Sequence, residues 1–380
     1  MRISIPSSAF VAAVVGFGGT LALIIAAANA VGASQAETAS WVTAICLAMA
    51  VETLWLSWRT RMPVITAWST PGAALVAASS GFTMNQAVGA FIVTAVLLIA
   101  TGLFRPLTRL ISRIPASVAS AMLAGIVVGF VINAAKAATV DPWLVLPLVA
   151  IFFVARLYNA ALSVLAVLVG GGILAFALGR VESLPSLELS SLTLIAPEFS
   201  LAGAIGLALP LYLVTMASQN LSGLAVLRAA GYDPPAGELI TVTGLVSLIT
   251  APFGALTTNL AAISAAICTG PDTHPDLAER WKTGPFYALA YVIFATFGAS
   301  LVALFAVLPQ SLIVLVAGLG LMAAFGNAMS IALRDERDRI AVVTTFAVTA
   351  SGIAVFGVGS AFWGLVAGLL VLALEKLKKT

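Results

Sequence analysis

Residues 63–74 read PVITAWSTPGAA and lie inside a segment that is otherwise apolar enough to cross a bilayer. A continuous helix is disfavoured there, because Pro71 would break it in the middle of the membrane. Residues 64–66 are all β-branched and favour extended backbone, and the proline biases Thr70 toward the same conformation. Thr70 is a good N-cap, and proline is favoured at the first helical position. We therefore expect a short strand to about Trp68, followed by a half-helix that starts near the bilayer midplane.

A second stretch, PFGALTTNL at residues 252–260, follows the same plan. Here we expect Thr258 or Asn259 to cap a half-helix that runs to about Thr269. The alternative for both stretches is an ordinary helix kinked at its proline. Because the two breaks fall at corresponding places in the two halves of the chain, we favour the broken spans.

The composition around these stretches fits a lipid environment. Of 380 residues, 61% are hydrophobic and 9% are charged, and the mean hydropathy is +1.11. A soluble domain carries about 25% charged residues, so this composition excludes one. Helices satisfy their own backbone groups and are therefore suited to lipid. Cys46 and Cys268 both lie in apolar segments, so we expect packing residues and not a disulfide.

One span per about 20 apolar residues predicts fourteen transmembrane segments. They fall near 8–34, 38–58, 64–82, 84–104, 115–137, 141–157, 159–179, 201–227, 236–251, 254–269, 284–307, 310–332, 340–357 and 359–376. We expect the first to be a retained span and not a cleaved signal peptide. With cytoplasmic termini, 16 of the 18 Lys and Arg residues fall on the inner side, and only Lys136 and Arg180 fall outside. This asymmetry predicts that both termini are cytoplasmic. Arg105, Arg109 and Arg113 fit either a short amphipathic helix on the inner face or a plain basic loop.

An internal repeat emerges when the two halves are compared. Residues 28–32 (ANAVG) parallel residues 219–223 (QNLSG), 191 positions later, and residues 115–117 parallel 309–311, 194 positions later. Seven spans per copy is an odd number, so the second copy enters the membrane from the opposite side. Such inverted repeats are typical of secondary transporters. The predicted fold is an all-α polytopic membrane protein with a 7+7 inverted repeat, in which segments 3 and 10 are each a short strand plus a half-helix. The predicted copies are 1–179 and 195–380.

The broken spans indicate the class of solute. Each helix N-terminus carries roughly +0.5 of an elementary charge, so two of them match one carboxylate. None of the 18 basic residues falls in the middle of a span, so backbone N–H groups and hydroxyls would bind the anion. The predicted donors are Ser69, Thr70, Gly72, Thr257, Thr258 and Asn259.

Further polar and aromatic residues lie near the breaks. Tyr212, Gln219 and Asn220 on the eighth segment either line the site or join helices by hydrogen bonds, and we favour a site role. Trp68 and Phe253 flank the two breaks and either grip an aromatic ring or pack in the core.

Glu52 is the most deeply placed carboxylate of the chain. A buried carboxyl at this depth is a candidate proton carrier. It also lies seven residues from Arg59, about 10 Å along a helix, and so would be able to snorkel to the inner surface. We favour the structural role while keeping proton coupling as a hypothesis.

Three stretches carry a family resemblance: residues 63–75, residues 218–223 (SQNLSG) with 228–232 (RAAGY), and residues 254–262. In these the chain resembles the benzoate/proton symporter (BenE) family, and the likeness extends over nearly the whole length. The resemblance implies uptake of benzoate with a proton in a bacterial inner membrane. It also implies kinship with nucleobase permeases and sulfate-type anion transporters.

The resemblance further implies a division into two moving parts. A core domain would comprise about 8–104 and 201–307, and a gate domain about 115–179 and 310–376. Substrate would sit between the half-helices, the core would move like an elevator against the gate, and two copies would pair through their gate domains. Nucleobase permeases have acidic residues where this chain has Gln219 and, nearby, Thr258. Neutral groups suit an anion, but they leave the proton carrier unassigned: either Glu52 serves, or the substrate travels as its neutral acid.

Other classes of function fit parts of this sequence. An anion channel also uses uncharged dipoles, and a transporter of another organic anion or of a nucleobase-like solute would use the same architecture. A membrane enzyme is disfavoured, because no His, Cys pair or paired carboxylates cluster at depth. We expect no cofactor, no metal and no nucleic-acid partner; the expected partners are benzoate, H⁺ and the lipid bilayer.

Overall fold

The computed structural model describes residues 5–104, 115–160, 162–181 and 183–379. Among these, seven helices are long and apolar enough to cross a bilayer, or eight if a helix pair bent by 60° counts as one span. Three shorter apolar helices accompany them: Pro142–Tyr158, Ser163–Ala177 and Ser360–Glu375. The chain is therefore a mostly helical, multi-pass membrane protein. The segment around Arg105, Arg109 and Arg113 lies outside the described residues.

The first half of the chain contains seven helices and one strand among its described residues. They are α1 (Ile5–Ala30), α2 (Gln35–Thr60), β1 (Thr66–Trp68), α3 (Thr70–Ala78), α4 (Met84–Leu103), α5 (Ala116–Val140), α6 (Pro142–Tyr158) and α7 (Ser163–Ala177). Ser34 with Glu37 at α2, and Thr83 with Gln86 at α4, form capping boxes. These caps satisfy the N–H groups that a helix start leaves unpaired.

Among its described residues, the second half contains eight longer helices and three strands, besides short 3-10 turns. They are α8 (Leu201–Ala229), α9 (Ala236–Thr250), β2 (Thr258–Leu260), α10 (Ile263–Thr269), α11 (Thr283–Thr296), α12 (Gly298–Val307), α13 (Gln310–Ala332), α14 (Arg339–Ala350), β3 (Ala354–Val355), β4 (Val358–Gly359) and α15 (Ser360–Lys379). Within α8, Ala204–Ala208 and Thr215–Asn220 are π-helical. Such turns are rare and occur frequently at functional sites.

The helices pack in reproducible pairs around the interior. Helix α4 packs on α9, α2 on α11, and α1 on α3, α10 and α11. Helix α5 packs on α13 and α14, while α6 packs on α7 and α14 on α15. Strands β1 and β2 are almost fully buried inside the first group.

Two predicted spans differ from the structure. Segment 284–307 is not one straight helix, because the chain bends by 60° at Phe297 between α11 and α12. Segment 340–357 ends early, at Ala350, and a short hairpin of β3 and β4 follows. Its two turn residues, Phe356 and Gly357, have φ of 54° and 72°. This is the twist that a two-residue hairpin requires.

Residues 183–200 form an extended strap over one end of the helices. Thr193 N–H donates to Ser40 Oγ at 2.8 Å, and Ser190 N–H donates to the Thr296 carbonyl at 3.0 Å. Ile195 N–H donates to the Pro252 carbonyl at 2.7 Å. The strap therefore joins α2 and α11 to the turn before β2.

The opposite end of the molecule carries the C-terminus of α2 and the N-termini of α5, α9, α11 and α14, and we call it the basic end. Arg59 pairs there with Glu238 at 3.6 Å, and the Arg61 guanidinium lies 4.3 Å from the Trp281 ring centroid. These contacts tie the ends of α2 and α9 to the turn before α11.

Candidate functional site

The two broken spans meet in the interior through their strands. Strands β1 and β2 pair antiparallel, with Ala67 opposite Asn259 and Trp68 opposite Thr258. Each strand is followed by a short helix, α3 of nine residues and α10 of seven. The strand and half-helix predicted for both spans are therefore present. Because the strands are antiparallel, the two helix N-termini lie beyond opposite ends of the pair and flank it.

Helix α3 starts one residue earlier than expected. Its N-cap is Ser69, whose Oγ accepts from Gly72 N–H at 3.2 Å; the prediction that Thr70 is the cap was wrong. Pro71 does occupy the first turn, as expected. Ser69 is held for this role by Thr215, whose Oγ1 lies 2.8 Å from Ser69 Oγ. A Cβ on Gly72 would lie 2.7 Å from Ser69 Oγ, so the cap requires glycine there.

The start of α10 was also predicted wrongly. Thr258 and Asn259 do not cap it but lie in β2, and α10 begins at Ile263 with no side-chain cap. The reason is that β2 finds its hydrogen-bond partners elsewhere. Ser247 Oγ accepts from Thr258 N–H and Asn220 Oδ1 accepts from Leu260 N–H, each at 3.0 Å.

Glu52 lies against β2. Its carboxyl is fully buried, and Thr258 Oγ1 donates to Glu52 Oε1 at 2.5 Å. Glu52 Oε2 has no hydrogen-bond partner among the described residues, and Ser247 Oγ lies 3.0 Å from Thr258 Oγ1. The expectation that Glu52 snorkels to the surface was wrong, because its helix turns the carboxyl toward the strands.

Thr257 provides the open hydroxyl of this region. Its Oγ1 is buried and has no hydrogen-bond partner among the described residues, while its carbonyl accepts from Ser69 N–H at 3.2 Å. The Asn259 amide, oriented so that its oxygen faces a donor, accepts from the same Ser69 N–H at 2.9 Å. A buried hydroxyl without a protein partner is costly in a folded protein, so a bound solute or a water is its expected partner.

The remaining predicted site residues divide into two groups. Tyr212 bonds Thr101 on α4, and Asn220 Oδ1 accepts from Leu260 N–H of β2, so both join α8 to a neighbouring segment. Trp68 packs in an aromatic cluster, 5.4 Å from the Phe17 ring centroid. Thr70 and Gln219, by contrast, are only half-buried.

Two cavities lie along α5 and α8. One of about 430 Å³ lies between α5, α8, α13 and α15 toward the basic end. It is mostly apolar, and its lining includes Met122, Leu123, Leu213, Val214 and Ser218. The other, of about 240 Å³, lies at the opposite ends of α5 and α8 and includes Ser79, Asn133 and Thr349.

Several residues that support this region had no clear signal in the sequence. Thr20 on α1 lies 3.3 Å from Thr70 Oγ1, and Ser247 on α9 supports Thr258. Thr66 meets Thr53 on α2, with 2.9 Å between their hydroxyls. Isolated Ser and Thr residues in apolar helices are common, so their roles become visible only when the helices are packed. No group of three or more metal-ligating side chains occurs in the described part of the chain.

Comparison with known proteins adds a family. The family model for the benzoate membrane transport protein (BenE) matches residues 2–374. The inner membrane protein YdcO of Escherichia coli is 42% identical over 361 residues, covering 94% of this chain and 92% of that protein. The benzoate membrane transport protein of Acinetobacter baylyi is 34% identical over 363 residues, covering 95% and 92%.

Solved structures share the fold at low identity. SLC26A9 superposes with a TM-score of 0.70 at 13% identity, covering 98% of this chain and 65% of that one, which is just under two thirds of its length. The transmembrane domain of the cyanobacterial bicarbonate transporter BicA gives a TM-score of 0.63 at 14% identity, covering 97% and 98%.

Proposed function

The chain belongs to the benzoate membrane transport family, and we propose that it imports benzoate or a similar small aromatic carboxylate together with a proton. At the coarser level, its family and fold make it a multi-pass inner-membrane transporter of an anion or other small solute. The finer proposal concerns which solute is bound, what drives it and how the helices move.

The observation that carries the substrate class is the start of α3 inside the protein. Ser69 caps this helix beside β2, so the positive end of its dipole lies at the strand pair. Thr257, with its free hydroxyl, adds a donor next to it. A carboxylate accepts hydrogen bonds from such neutral donors, as anions do at helix N-termini. Helix α10 contributes less than its counterpart, because seven residues make a short dipole.

The apolar cavity suits the ring of the substrate. Its volume of about 430 Å³ falls within the usual range of ligand pockets, about 300–1,000 Å³. Leu213 and Val214 on α8 and Met122 on α5 give it an apolar surface. An aromatic ring in this cavity and a carboxylate pointing to the strand pair would use both features.

Glu52 supports coupling to a proton. A fully buried carboxyl with one free oxygen is able to take up a proton and release it as its surroundings change. Glu52 accepts a hydrogen bond from Thr258 of β2, and β2 pairs with β1, which ends next to the Ser69 cap. Protonation of Glu52 would thus be linked to the start of α3. The alternative is that the substrate crosses as its own neutral acid and Glu52 keeps its proton.

The helix packing supports a 7+7 inverted repeat of fourteen segments, with copies 1–179 and 195–380. The chain has fourteen segments when three pairs of elements each count as one segment: β1 with α3, β2 with α10, and α11 with α12. In such a repeat, each segment of the first copy corresponds to the one seven places later, so segments 4 and 9 correspond to segments 11 and 2, and both pairs pack together. Segments 6 and 7 likewise correspond to 13 and 14, and both pairs pack together.

Alternating access would then be movement of a core (8–104 and 201–307) against a gate (115–179 and 310–376). The two cavities lie at opposite ends of the boundary between these groups, and the larger is at the basic end. With both termini cytoplasmic, this is an inward-open arrangement. Apolar side chains exposed on α6 and α7, such as Phe153 and Ile173, would face lipid or a second gate domain in a homodimer.

The test is transport by purified protein in liposomes. Labelled benzoate should enter vesicles preloaded with unlabelled benzoate, and an inside-alkaline pH gradient should drive accumulation beyond that of empty vesicles. Benzamide has the same ring without the charge and should not compete, whereas cyclohexanecarboxylate tests the need for the aromatic ring.

Rival functions give different results in the same vesicles. Unitary currents without counterflow would indicate an anion channel, and competition by uracil would indicate a nucleobase-like substrate. Absence of both counterflow and gradient-driven uptake of benzoate would overturn the proposal.

A further inference from the structure

The strap (residues 183–200) carries a row of exposed apolar side chains. Six large apolar residues have exposed fractions of 45–84%: Leu184, Leu187, Leu189, Leu192, Leu194 and Phe199. We call these six residues the apolar row. The charged residues of the strap are two carboxylates, Glu188 and Glu198, and its sequence contains no Lys, Arg or His. A dense apolar surface of this kind marks a site that binds a partner or a membrane.

The apolar row follows from the extended backbone, in which successive side chains point to opposite faces. Ser190 faces the protein, because its Oγ accepts a hydrogen bond from Ala299 N–H at 2.9 Å, and Ile195 is buried. Their neighbours Leu189 and Leu194 therefore point away from the helices, and each is 74% exposed. One face of the strap is thus bonded to the protein, and the other presents leucines.

Helix α2 indicates how deep the strap lies in the bilayer. Arg59 pairs with Glu238 at the basic end, and Trp58 beside it is half exposed, a combination typical of a membrane interface. The strap bonds Ser40 of the same helix, nineteen positions from Arg59, which is about 29 Å of helix. The hydrocarbon core of a bilayer is about 30 Å thick. Ser40 therefore lies near the opposite boundary of that core.

Helix α4 gives the same depth for the other end of the strap. Glu198 N–H donates to the Asn85 carbonyl at 2.9 Å, and the Gln86 amide donates to the Glu198 carboxylate at 2.9 Å. Asn85 lies eighteen positions before Leu103, the last residue of α4, a distance of about 27 Å along the helix. Two helices thus place the strap about one hydrocarbon thickness from the basic end.

The apolar row also continues the exposed apolar surface of α11. Ser190 N–H donates to the Thr296 carbonyl, at the last residue of that helix. Along α11, Leu289 and Val292 are exposed. In a multi-pass membrane protein such side chains contact acyl chains, which are as apolar as leucine itself. Leu189, next to Ser190, therefore lies where a lipid-facing helix surface meets the strap.

The backbone of the strap excludes a position deep in the hydrocarbon. The N–H groups that donate to acceptors on the helices and the turn before β2 are those of Glu188, Ser190, Thr193, Ile195 and Glu198. The other N–H groups of the strap have no protein acceptor among the described residues. They need acceptors from water or lipid headgroups, because an unsatisfied N–H group is costly in hydrocarbon.

We propose that the strap lies in the membrane interface of the leaflet opposite the basic end, with the apolar row inserted among lipid glycerol groups and upper acyl chains. A segment with apolar side chains on one face and polar groups elsewhere binds at this boundary. The strap bonds α2, α4, α11 and the turn before β2, so lipid would hold the part of the chain that carries both broken spans. The inference does not depend on which solute is carried.

Spin labels on single cysteines measure where the apolar row lies. Leu189→Cys and Leu194→Cys each place a nitroxide on the row. Asp272→Cys, in an exposed loop at the basic end, is the reference for water, and Val292→Cys on α11 is the reference for hydrocarbon. All four positions are exposed, so none of the substitutions removes a buried side chain.

Each labelled protein is reconstituted in vesicles of phosphatidylcholine and phosphatidylglycerol. Collisions of the nitroxide with oxygen and with a water-soluble nickel chelate are then measured by power saturation. The native thiols of Cys46 and Cys268 are buried, so the wild type treated with the same reagent gives the background.

Oxygen is apolar and concentrates in hydrocarbon, whereas the chelate stays in water. At Leu189→Cys and Leu194→Cys we expect the ratio of oxygen collisions to nickel collisions to be several-fold higher than at Asp272→Cys. It should be lower than at Val292→Cys, because the interface lies above the hydrocarbon core.

Three results would overturn the proposal. A ratio equal to that at Asp272→Cys would place the apolar row in water. A ratio equal to that at Val292→Cys would place it inside the hydrocarbon, contrary to the backbone argument. Collisions with both reagents far below those at either reference would mean that protein, such as a second copy of the chain, covers the row.

Discussion

The two broken spans have the same plan but are stabilised from opposite ends. Helix α3 is held at its start, where Ser69 caps it and Pro71 fixes its first turn. Helix α10 has no side-chain cap at its start, but its end is held by Arg280. The buried Arg280 guanidinium donates to the carbonyls of Thr269 at 2.6 Å, His274 at 2.7 Å and Pro275 at 3.3 Å.

The strands of the two spans also differ, in the groups that each of them contacts. Strand β1 leads directly to the capped helix that we propose to bind the anion. Strand β2 is bonded to Glu52, Ser247 and Asn220, so it connects the proposed proton carrier to the same place. Under the proposed function, the two broken spans therefore divide into an anion side and a proton side, and the residues that differ between them carry the distinction.

The largest effect should come from the end of α10. Arg280→Ala leaves three carbonyls without their charged donor, and we expect a loss of about 3 kcal/mol in the free energy of unfolding. Denaturation in detergent measures it. The matched control is Arg228→Ala, an exposed residue of the same end, which should change stability by less than about 0.5 kcal/mol. Equal losses of unfolding free energy in the two variants would contradict the conclusion that Arg280 holds the end of α10.

Glu52→Gln tests the proton side. The amide keeps the shape of the side chain and its bond to Thr258 but cannot be protonated. We expect gradient-driven benzoate uptake to fall by about a hundredfold, the lower end for a positioned proton-transfer group, with counterflow preserved. Uptake that still follows the pH gradient would show that the solute crosses as its neutral acid.

Thr257→Val tests the anion side. A hydrogen bond from a hydroxyl to a charged acceptor contributes about 1.5–3 kcal/mol, so the affinity for benzoate should fall at least about tenfold. Stability without ligand should not fall, because the hydroxyl has no hydrogen-bond partner to lose among the residues that the structure describes. Thr345→Val is the control, since that hydroxyl donates to the Ala341 carbonyl of its own helix. Unchanged benzoate binding by calorimetry would remove Thr257 from the site.

Ser69→Ala gives the smallest of these effects. Loss of an N-cap costs about 1 kcal/mol, which corresponds to about fivefold in affinity if the cap orients the N–H groups that meet the anion. Thermal stabilisation by benzoate provides the measurement. A variant as responsive as the wild type would mean that the start of α3 supports the fold without contacting the solute.

The breaks themselves were predictable because their causes are local. Pro71 and the β-branched residues before it disfavour helix whatever surrounds them, and the strand and half-helix follow. The exact caps were less predictable. Ser69 and Thr70 are both acceptable caps, and the choice depends on Thr215, which lies on a helix 146 residues away in sequence.

The sequence by itself determined three things: that this chain is embedded in lipid, at which residues its two broken spans are interrupted, and to which family it belongs. These follow from composition, proline and short-range conformational preference, which act within a few residues. Only the tertiary structure decided that Glu52 faces Thr258, that Thr257 keeps a free hydroxyl, and that Ile195 of the strap bonds the turn before β2. The partners of these groups come from distant segments, and in an apolar helix a lone polar residue does not reveal which neighbour it will meet until the helices have packed.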